Sequence, residues 1–241
     1  MRVIGIIPAR YGSTRFPGKV LADICGKPMI QHVWERARRA KTLDSVMIAC
    51  DDVRIKKACE KFGAKAVMTS KHHASGSDRI AEAVKSVPCD IVVNIQGDEP
   101  LIVPSMIDDL VKALKKDKNC SMATLIKPIK NENEVSDPNV VKVTVDLKGY
   151  ALYFSRSAIP YNRGKNKAPY FKHFGLYAYR KNFLLGFKKL PASRLEHIER
   201  LEQLRVLEAG YKIKTVETRF DTIAVDTKND LNRVVRKLKH G

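Results

Sequence analysis

Short apolar runs alternate with amphipathic segments through the first half of the chain, and this alternation limits the fold more than any other feature. Residues 3–7 are a short apolar run typical of a buried strand. Pro28 begins a helix at its first turn, and Ile30, Val33, Trp34 and Ala37 then form one apolar stripe. The further strands are predicted at residues 45–50, 64–68, 90–95 and 121–126, and the further helices at 52–62, 78–86 and 104–115. Such alternation predicts parallel βαβ units with both sheet faces covered, and ligands beyond the carboxyl ends of the strands.

The second half has a more antiparallel pattern. Alternating residues predict strands at 140–146, 150–155, 172–179 and 211–218, with helices at 194–209 and from Thr227 onward. No linker, low-complexity stretch or internal repeat interrupts the pattern. We therefore predict one α/β domain over residues 1–241, with a mostly parallel sheet flanked by helices.

Composition indicates a globular protein and limits the classes of partner that it can bind. The 241 residues include 45 Lys and Arg against 26 Asp and Glu, a net charge of +19 that favours anionic partners or reflects a solvated basic face. No apolar run approaches the roughly 20 residues of a membrane helix, and residues 1–8 do not resemble a signal peptide. We predict a cytoplasmic location and no membrane partner. The five cysteines form no C-x-x-C pair, which argues against a zinc site or disulfide framework and favours reduced, mostly buried thiols.

The loop after the first strand carries two arginines and a lysine within ten residues, with Gly12 and Gly18 allowing close approach of a ligand. Arginine and lysine are the usual phosphate-binding residues. The spacing does not fit a Walker A loop, because five residues separate Gly12 from Gly18 and Val20 follows Lys19, and no G-x-G-x-x-G is present. The loop is either a phosphate-binding loop of another kind or a solvated basic loop.

Five motifs in chain order give a more specific indication. The motifs are Pro8-Ala9-Arg10 with Arg15-x-Pro17-Gly18-Lys19, then residues 73–79 (HASGSDR), 94–100 (NIQGDEP), 149–156 (GYALYFSR) and 195–205 (LEHIE with LEQLR). Together they resemble the 3-deoxy-manno-octulosonate (Kdo) cytidylyltransferases from the first strand to the last helix. Two departures are visible: Ser77 and Asp78 stand where Thr and Glu are frequent, and the loop between Arg163 and His173 is shorter than in many relatives.

The resemblance implies a nucleotidyltransferase-like fold and the transfer of CMP from CTP to the anomeric 2-hydroxyl of Kdo, with release of pyrophosphate, in lipopolysaccharide biosynthesis. It also implies a homodimer, with residues of about 150–180 serving sugar binding and dimerisation. One alternative is a CMP-acylneuraminate synthetase, which shares the opening loop. Another is a basic nucleic-acid-binding protein, but the basic residues are spread out and no aromatic-interleaved RNA motif is present, so we predict no nucleic-acid partner.

Asp98 and Asp226 are the candidate metal ligands. Asp98 follows a predicted strand at the expected ligand-binding edge, where a carboxylate can hold Mg²⁺ against a triphosphate. The alternative is that Asp98 is an ordinary acidic residue in the turn before Pro100. The resemblance implies that Asp226 is the second metal carboxylate. Two alternatives concern the cap of the last helix: Asp226 could itself be the cap, or Thr227 could form a capping box with Asp230. The implied cofactor is Mg²⁺.

The nucleotide site combines the first loop with a helix N-terminus, where backbone N–H groups can bind a base edge or an oxygen. An ordinary N-cap at Ser77 is the alternative for residues 75–79. The resemblance implies catalytic roles for Lys19, Arg10 and Asp98. The implied nucleotide ligands are Ala9, Arg10, Ser13, Arg15, Lys19, Ser75, Gly76, Ser77, Arg79 and Gln96.

The sugar site is implied by the resemblance alone. Taken by themselves, His173 and Tyr177 would be solvent-facing side chains on the polar face of a strand. The implied sugar ligands are Arg156, Arg163, His173, Tyr177, Glu202 and Gln203. Arg156 or Arg163 would bind the sugar carboxylate. Glu196 fits a capping box with Ser193, and the His72-His73 pair is interpreted as structural or surface.

Overall fold

The computed structural model describes residues 1–12, 16–73, 75–164 and 169–239. Two of the implied nucleotide ligands, Ser13 and Arg15, therefore lie outside the described residues. Contacts divide the chain into two compact units, residues 1–108 with 221–241, and residues 109–220. The prediction of a single domain over residues 1–241 stays a prediction. Along the described stretches, no helix combines the length and apolar character that crossing a bilayer requires.

Strands and helices alternate much as predicted. The strands are β1 (Val3–Ala9), β2 (Asp23–Ile24), β3 (Lys27–Pro28), β4 (Ser45–Cys50), β5 (Lys65–Met68), β6 (Ile91–Asn94), β7 (Met122–Pro128), β8 (Lys142–Val145), β9 (Ala151–Ser155), β10 (Phe171–Arg180) and β11 (Ile213–Glu217). The α-helices are α1 (Met29–Ala37), α2 (Val53–Lys61), α3 (Gly76–Val84), α4 (Pro104–Lys116), α5 (Asn133–Ser136), α6 (Lys181–Gly186), α7 (Arg194–Glu199), α8 (Gln203–Glu208) and α9 (Lys228–Lys239). Short 3₁₀ turns cover Lys19–Leu21 and Phe187–Lys189.

The first unit contains a parallel sheet in the order β6-β1-β4-β5. β1 lies in its interior and is buried along almost its whole length, as its unbroken apolar sequence predicts. In α1 the predicted stripe of Ile30, Val33, Trp34 and Ala37 is buried. Pro28, however, is the N-cap of α1 and not a first-turn residue, because it remains extended (ψ 145°) and pairs with Asp23 in a short hairpin.

A second apolar cluster in this unit fixes the start of α9. Val225 and Val234 are fully buried against Ile24, Met29 and Leu101. The last helix joins the same cluster through the partly buried Leu231, Val235 and Leu238. Residue 226 is therefore held beside the carboxyl end of β6, since the neighbouring Val225 donates a backbone hydrogen bond to the Asp98 carbonyl over 2.8 Å.

The second unit carries the predicted antiparallel strands. β7 pairs in parallel with β11 and antiparallel with β10, and β8 pairs antiparallel with β10 and β9. The β7–β10 register shifts between Phe174 and Tyr177, which marks a β-bulge. The α/β fold class is confirmed by these ladders, with a parallel sheet in the first unit and the antiparallel additions in the second.

The single helix predicted at residues 194–209 is wrong, because the chain breaks it into α7 and α8. Arg200 adopts a left-handed conformation (φ 54°) at the end of α7. The Glu199 carboxylate is held there by Ser155 Oγ at 2.6 Å and the Arg156 backbone N–H at 2.9 Å. These tertiary contacts end the helix although the sequence around residue 200 contains neither Gly nor Pro.

Candidate functional site

Lys19 joins the two predicted metal carboxylates. Its Nζ donates to Asp98 Oδ2 at 2.6 Å, to Asp226 Oδ1 at 3.0 Å and to the Val225 carbonyl at 3.1 Å. Burial lowers the pKa of Lys19, but the charges and hydrogen bonds of Asp98 and Asp226 outweigh it, so the net pKa is raised. Lys19 therefore carries its charge at neutral pH, and three residues far apart in sequence form one charged cluster.

Gly18 gives Lys19 its position. The backbone of Gly18 is left-handed (φ 67°), and its N–H donates to the Tyr11 carbonyl at 2.9 Å. A Cβ at this position would lie 3.2 Å from the Tyr11 ring. Glycine satisfies both the backbone conformation and the close packing, and the 3₁₀ turn that begins at Lys19 follows directly.

The capping alternative for Asp226 is resolved in favour of Thr227. The Asp230 backbone N–H donates to Thr227 Oγ1 at 3.2 Å, and Asp230 Oδ2 accepts from the Thr227 N–H at 3.0 Å. This reciprocal pair is the capping box of α9. Asp226 is thereby left to direct Oδ1 at Lys19.

The two carboxylates fit a magnesium site of the kind that uses substrate oxygens. Both lie within hydrogen-bonding distance of one cationic atom, so they are placed to share a metal ion. The described residues contain no group of three or more His, Cys, Asp or Glu side chains suited to a metal. Mg²⁺ commonly takes one or two carboxylates and completes its shell with water and phosphate, which matches this donor set.

Glu99 is a different kind of acid from its neighbour Asp98. It is only 6% exposed, and burial followed by the Asp98 charge raises its pKa to about 7. Its Oε2 has no hydrogen-bond partner among the described residues. Asp98, the acid predicted as a metal ligand, is the one of the two that contacts the Lys19 ammonium.

A cleft of about 270 Å³ lies at the carboxyl ends of β1 and β6. Its lining residues are Pro8, Ala9, Arg10, Lys19, Val20, His73, Ser75, Gly76, Arg79, Gln96, Gly97 and Asp98. Most of the described nucleotide candidates are thus brought together. At Gly97 a Cβ would lie 2.9 Å from the Pro8 carbonyl, so the two strand ends approach too closely for a side chain.

Ser77 is the exception among the described nucleotide candidates. The N-cap of α3 is Ser75, whose hydroxyl accepts from the Asp78 N–H at 3.2 Å, so the alternative of an N-cap at Ser77 is wrong. α3 begins at Gly76, two residues before the predicted start. Ser77 falls in the first turn, is 1% exposed and is not among the cleft-lining residues.

Arg79 lines the cleft and also makes hydrogen bonds to other side chains of the protein. Its guanidinium donates to Asp51 Oδ2 at 3.0 Å and to Thr69 Oγ1 at 2.7 Å. Asp51 Oδ1 accepts from the Tyr11 N–H at 3.0 Å. Arg79 therefore ties α3 to the first loop through Asp51, in addition to any contact with a ligand.

His73 lines the same cleft, and the sequence interpretation missed it. Its Nε2 contacts the carboxylate of Glu82 in α3, and this contact lowers the pKa of Glu82. The HASGSDR motif contains His73 and was a usable signal. The pairing with His72 obscured it, because adjacent histidines rarely act on the same ligand.

In the second unit, His173, Tyr177 and Gln203 form a polar cluster. The Tyr177 hydroxyl donates to Gln203 Oε1 at 3.3 Å, and the His173 and Tyr177 rings lie 5.4 Å apart. Burial lowers the pKa of His173 to about 3 and raises the pKa of Tyr177 well above its ordinary value. Gln203 is 4% exposed, and its Nε2 has no hydrogen-bond partner among the described residues. A buried donor without an acceptor is costly, so this cluster is suited to a polar ligand.

The remaining sugar candidates occupy different settings. The Arg156 guanidinium donates to the Glu199 and Pro138 carbonyls, each at 2.8 Å. Arg163 is exposed, and Glu202 is the half-buried residue before α8. Arg163 is not among the donors to these two carbonyls.

Comparison with known proteins identifies relatives over the full length. A family model described as "Cytidylyltransferase" matches residues 4–215. A 3-deoxy-manno-octulosonate cytidylyltransferase of Geotalea uraniireducens is 51% identical over 99% of this chain and 100% of its own length. One of Syntrophobacter fumaroxidans is 54% identical over 98% and 96%. A solved CMP:2-keto-3-deoxy-manno-octonic acid synthetase complexed with CTP is 45% identical, with a TM-score of 0.96 over 99% of each chain.

Proposed function

Because this chain belongs to the cytidylyltransferase family and is therefore a nucleotidyltransferase enzyme, we propose that it transfers CMP from CTP to the anomeric 2-hydroxyl of Kdo. The products are CMP-Kdo and pyrophosphate. Full-length relatives at 51% and 54% identity bear the name of this activity. The observation on the chain itself that carries the proposal is the contact of Lys19 with Asp98 and Asp226 beside the cleft.

The cleft-lining residues of the first unit are proposed to bind CTP. Arg10 and Lys19 bring positive charge to the end of β1, where phosphates would be held by charge-assisted hydrogen bonds. Ser75 and Gly76 stand at the N-terminus of α3, whose first backbone N–H groups favour an anionic or acceptor ligand. We keep Ser13 and Arg15 in this proposal on the resemblance of the loop.

Asp98 and Asp226 are proposed to hold Mg²⁺. When bound, the ion would offset charge on the transferring and leaving phosphates and lower the pKa of the attacking hydroxyl. Lys19 supplies a fixed positive charge to the same carboxylates and orients them. The protein itself needs no covalent intermediate, since positioning and charge neutralisation are the main demands of nucleotidyl transfer.

The polar cluster of the second unit is proposed to bind the sugar. The buried Nε2 of Gln203 can donate to a sugar oxygen, and Tyr177 and His173 flank it. Arg163 is the better candidate of the two arginines for the carboxylate, since the Arg156 guanidinium is engaged with carbonyls. In the reaction the sugar hydroxyl oxygen forms a bond to the α-phosphorus, and the bond from that phosphorus to pyrophosphate breaks.

The decisive experiment measures pyrophosphate release in Mg²⁺ with each of the four nucleoside triphosphates, in the presence of Kdo or N-acetylneuraminate. We expect turnover with CTP and Kdo only. Equal turnover with ATP would exclude the cytidylyl assignment, and equal turnover with N-acetylneuraminate would support the acylneuraminate synthetase alternative. A salt-dependent gel shift with random DNA or RNA should show no specific complex.

We further propose a cytoplasmic homodimer acting in lipopolysaccharide biosynthesis, the pathway that consumes CMP-activated Kdo. Support for the dimer comes from the family resemblance. The second unit also has three large exposed apolar side chains that an interface could cover, since Leu152, Tyr161 and Ile198 are 60%, 88% and 75% exposed. Light scattering at micromolar protein should give twice the chain mass. A mass near the 27.2 kDa of one chain would exclude the dimer.

A further inference from the structure

The hydroxyl of Thr124 lies against the imidazole of His173. Thr124 is in β7 and is fully buried. Its Oγ1 lies 2.9 Å from His173 Nε2, 3.1 Å from the Phe174 carbonyl and 3.0 Å from the Leu176 carbonyl. The β-bulge in β10 lies between Phe174 and Tyr177, and both carbonyls around it come within reach of this one hydroxyl.

A count of protons decides the direction of the hydrogen bonds. A threonine hydroxyl has one hydrogen and two acceptor lone pairs, whereas a carbonyl oxygen can only accept. If Thr124 donated its hydrogen to Nε2, both carbonyls would face only lone pairs of the hydroxyl oxygen. If the hydrogen is shared between the Phe174 and Leu176 carbonyls, the oxygen accepts from Nε2–H of His173, and this arrangement is favoured because it leaves no two acceptors facing each other.

The surroundings of the ring keep it neutral. Phe154 packs edge-on with ring centroids 4.9 Å apart, and Tyr177 packs at 5.4 Å. Burial lowers the pKa of His173 to about 3, far below neutral pH. A neutral imidazole with hydrogen on Nε2 has an unprotonated Nδ1, which is a hydrogen-bond acceptor.

We propose that Thr124 is a positioning residue that holds His173 as the Nε2–H tautomer, so that His173 accepts a hydrogen bond from a sugar hydroxyl through Nδ1. The sugar part of this inference rests on the proposed function. The proposal makes His173 a hydrogen-bond acceptor toward the sugar. A ring in this state has its one N–H bonded to Thr124, so it cannot donate to a carboxylate. Binding of the sugar carboxylate then falls to other donors, such as an arginine.

The tautomer is measured directly by ¹⁵N NMR of the full chain labelled at histidine. The chain has 6 histidines, and a His173→Phe variant identifies the signals of this ring by their loss. In the wild type we expect the nitrogen shifts of a neutral ring protonated at Nε2, unchanged across neutral pH. A ring protonated at Nδ1, or a cationic ring, would overturn the proposal without reference to any activity.

Two substitutions separate the hydroxyl from the packing of the side chain. Thr124→Val keeps the shape and removes the hydroxyl, whereas Thr124→Ser keeps the hydroxyl. We expect the serine variant to retain the Nε2–H signals and the valine variant to show a mixture of tautomers. A valine variant with the wild-type signal pattern would show that Thr124 does not set the tautomer. If the valine variant does not fold, the wild-type and serine spectra still decide the protonated nitrogen.

Kinetics test the link to the sugar. Loss of one neutral hydrogen bond predicts a rise of about tenfold in KM for Kdo in Thr124→Val, with KM for CTP unchanged and KM for Kdo restored in Thr124→Ser. An equal change in both KM values would indicate a merely structural role and overturn the proposal. If the wild-type enzyme does not use Kdo, the proposed function fails, and the NMR result alone then decides the role of Thr124.

Discussion

Lys19 Nζ lies 2.6 Å from Asp98 Oδ2, in a contact that joins two residues 79 positions apart in the sequence. The same ammonium reaches Asp226, so one cation contacts both carboxylates proposed to bind Mg²⁺ and offsets one of their two negative charges. A metal ion bound as proposed would compete with Lys19 for these oxygen atoms. Such competition can be measured separately from turnover.

Replacing either carboxylate by its amide should abolish most of the activity while leaving the fold intact. For Asp98→Asn and Asp226→Asn we expect losses on the order of 10²–10³ in kcat, because a preorganised charge next to the reacting phosphates is lost. Steady-state pyrophosphate release measures the loss, and circular dichroism checks the fold. Near wild-type turnover of Asp226→Asn at low millimolar Mg²⁺ would show that Asp226 is not a ligand.

Asp230→Asn is the matched control, since Asp230 lies four residues away and serves the helix cap. It should retain turnover within about threefold, because its carboxylate accepts from the Thr227 hydroxyl and from the backbone N–H groups of Asp226 and Thr227, and not from Lys19. Loss of activity as large as in Asp226→Asn would show that the whole segment, and not the Asp226 carboxylate, is required.

Lys19→Met should separate metal affinity from catalysis. Without the ammonium, two carboxylates lose their internal cation, so we expect Mn²⁺ or Mg²⁺ to bind the nucleotide-free protein at least about tenfold more tightly. Turnover should nevertheless fall, because Lys19 would no longer hold phosphate. Calorimetric titration with the metal alone gives the affinity. Unchanged metal affinity would mean that Lys19 and the ion do not share these oxygens.

The capping box of α9 should make stability depend on acid pH. Burial raises the pKa of Asp230, but its hydrogen bonds with Thr227 and with the Thr227 and Asp226 backbone outweigh this, and the net pKa is lowered. The folded-state pKa lies below the unfolded value of about 4. The stabilisation is therefore fully present above that value and is lost as pH falls through the folded-state pKa.

Thr227→Ala should lower the free energy of unfolding by about 1 kcal/mol at pH 7. Asp230→Ala should lower it by a similar amount, and the difference from wild type should shrink on acidification. Urea denaturation at pH 7 and at acid pH measures both effects. A difference between Asp230→Ala and wild type that stays constant with pH would contradict the pKa direction.

The two arginines proposed for the sugar carboxylate should behave differently. Arg156→Met removes donors to the Glu199 and Pro138 carbonyls, so it should lower the melting temperature as well as activity. Arg163→Met removes an exposed side chain, so it should leave the melting temperature unchanged and raise KM for Kdo about tenfold or more. Thermal melts and Kdo titrations of both variants distinguish the roles. An unchanged KM for Kdo in Arg163→Met would show that another donor binds the sugar carboxylate.

Several site residues were predictable because their signals are local. Asp98 follows a buried strand, and in a parallel sheet the residues after strands face ligands. Ser75 and Gly76 were predictable from the motif before α3, although the alternative considered for this motif had the cap at Ser77 and the structure has it at Ser75. His73 was missed although the HASGSDR motif contains it, because the adjacent His72 favoured a structural or surface interpretation of the pair.

The sequence by itself determined the alternation of strands and helices, the apolar stripe of α1 and the glycine before Lys19. These features depend on residues within one or two turns of each other, so local propensity and periodicity are sufficient to specify them. The tertiary structure alone decided that Lys19 meets Asp226 across 207 positions, that Thr124 meets His173 across 49, and that Glu199 ends a helix on Ser155. Such contacts depend on which buried faces pack together and on where each carbonyl and hydroxyl then finds its partner, and no local pattern contains that information.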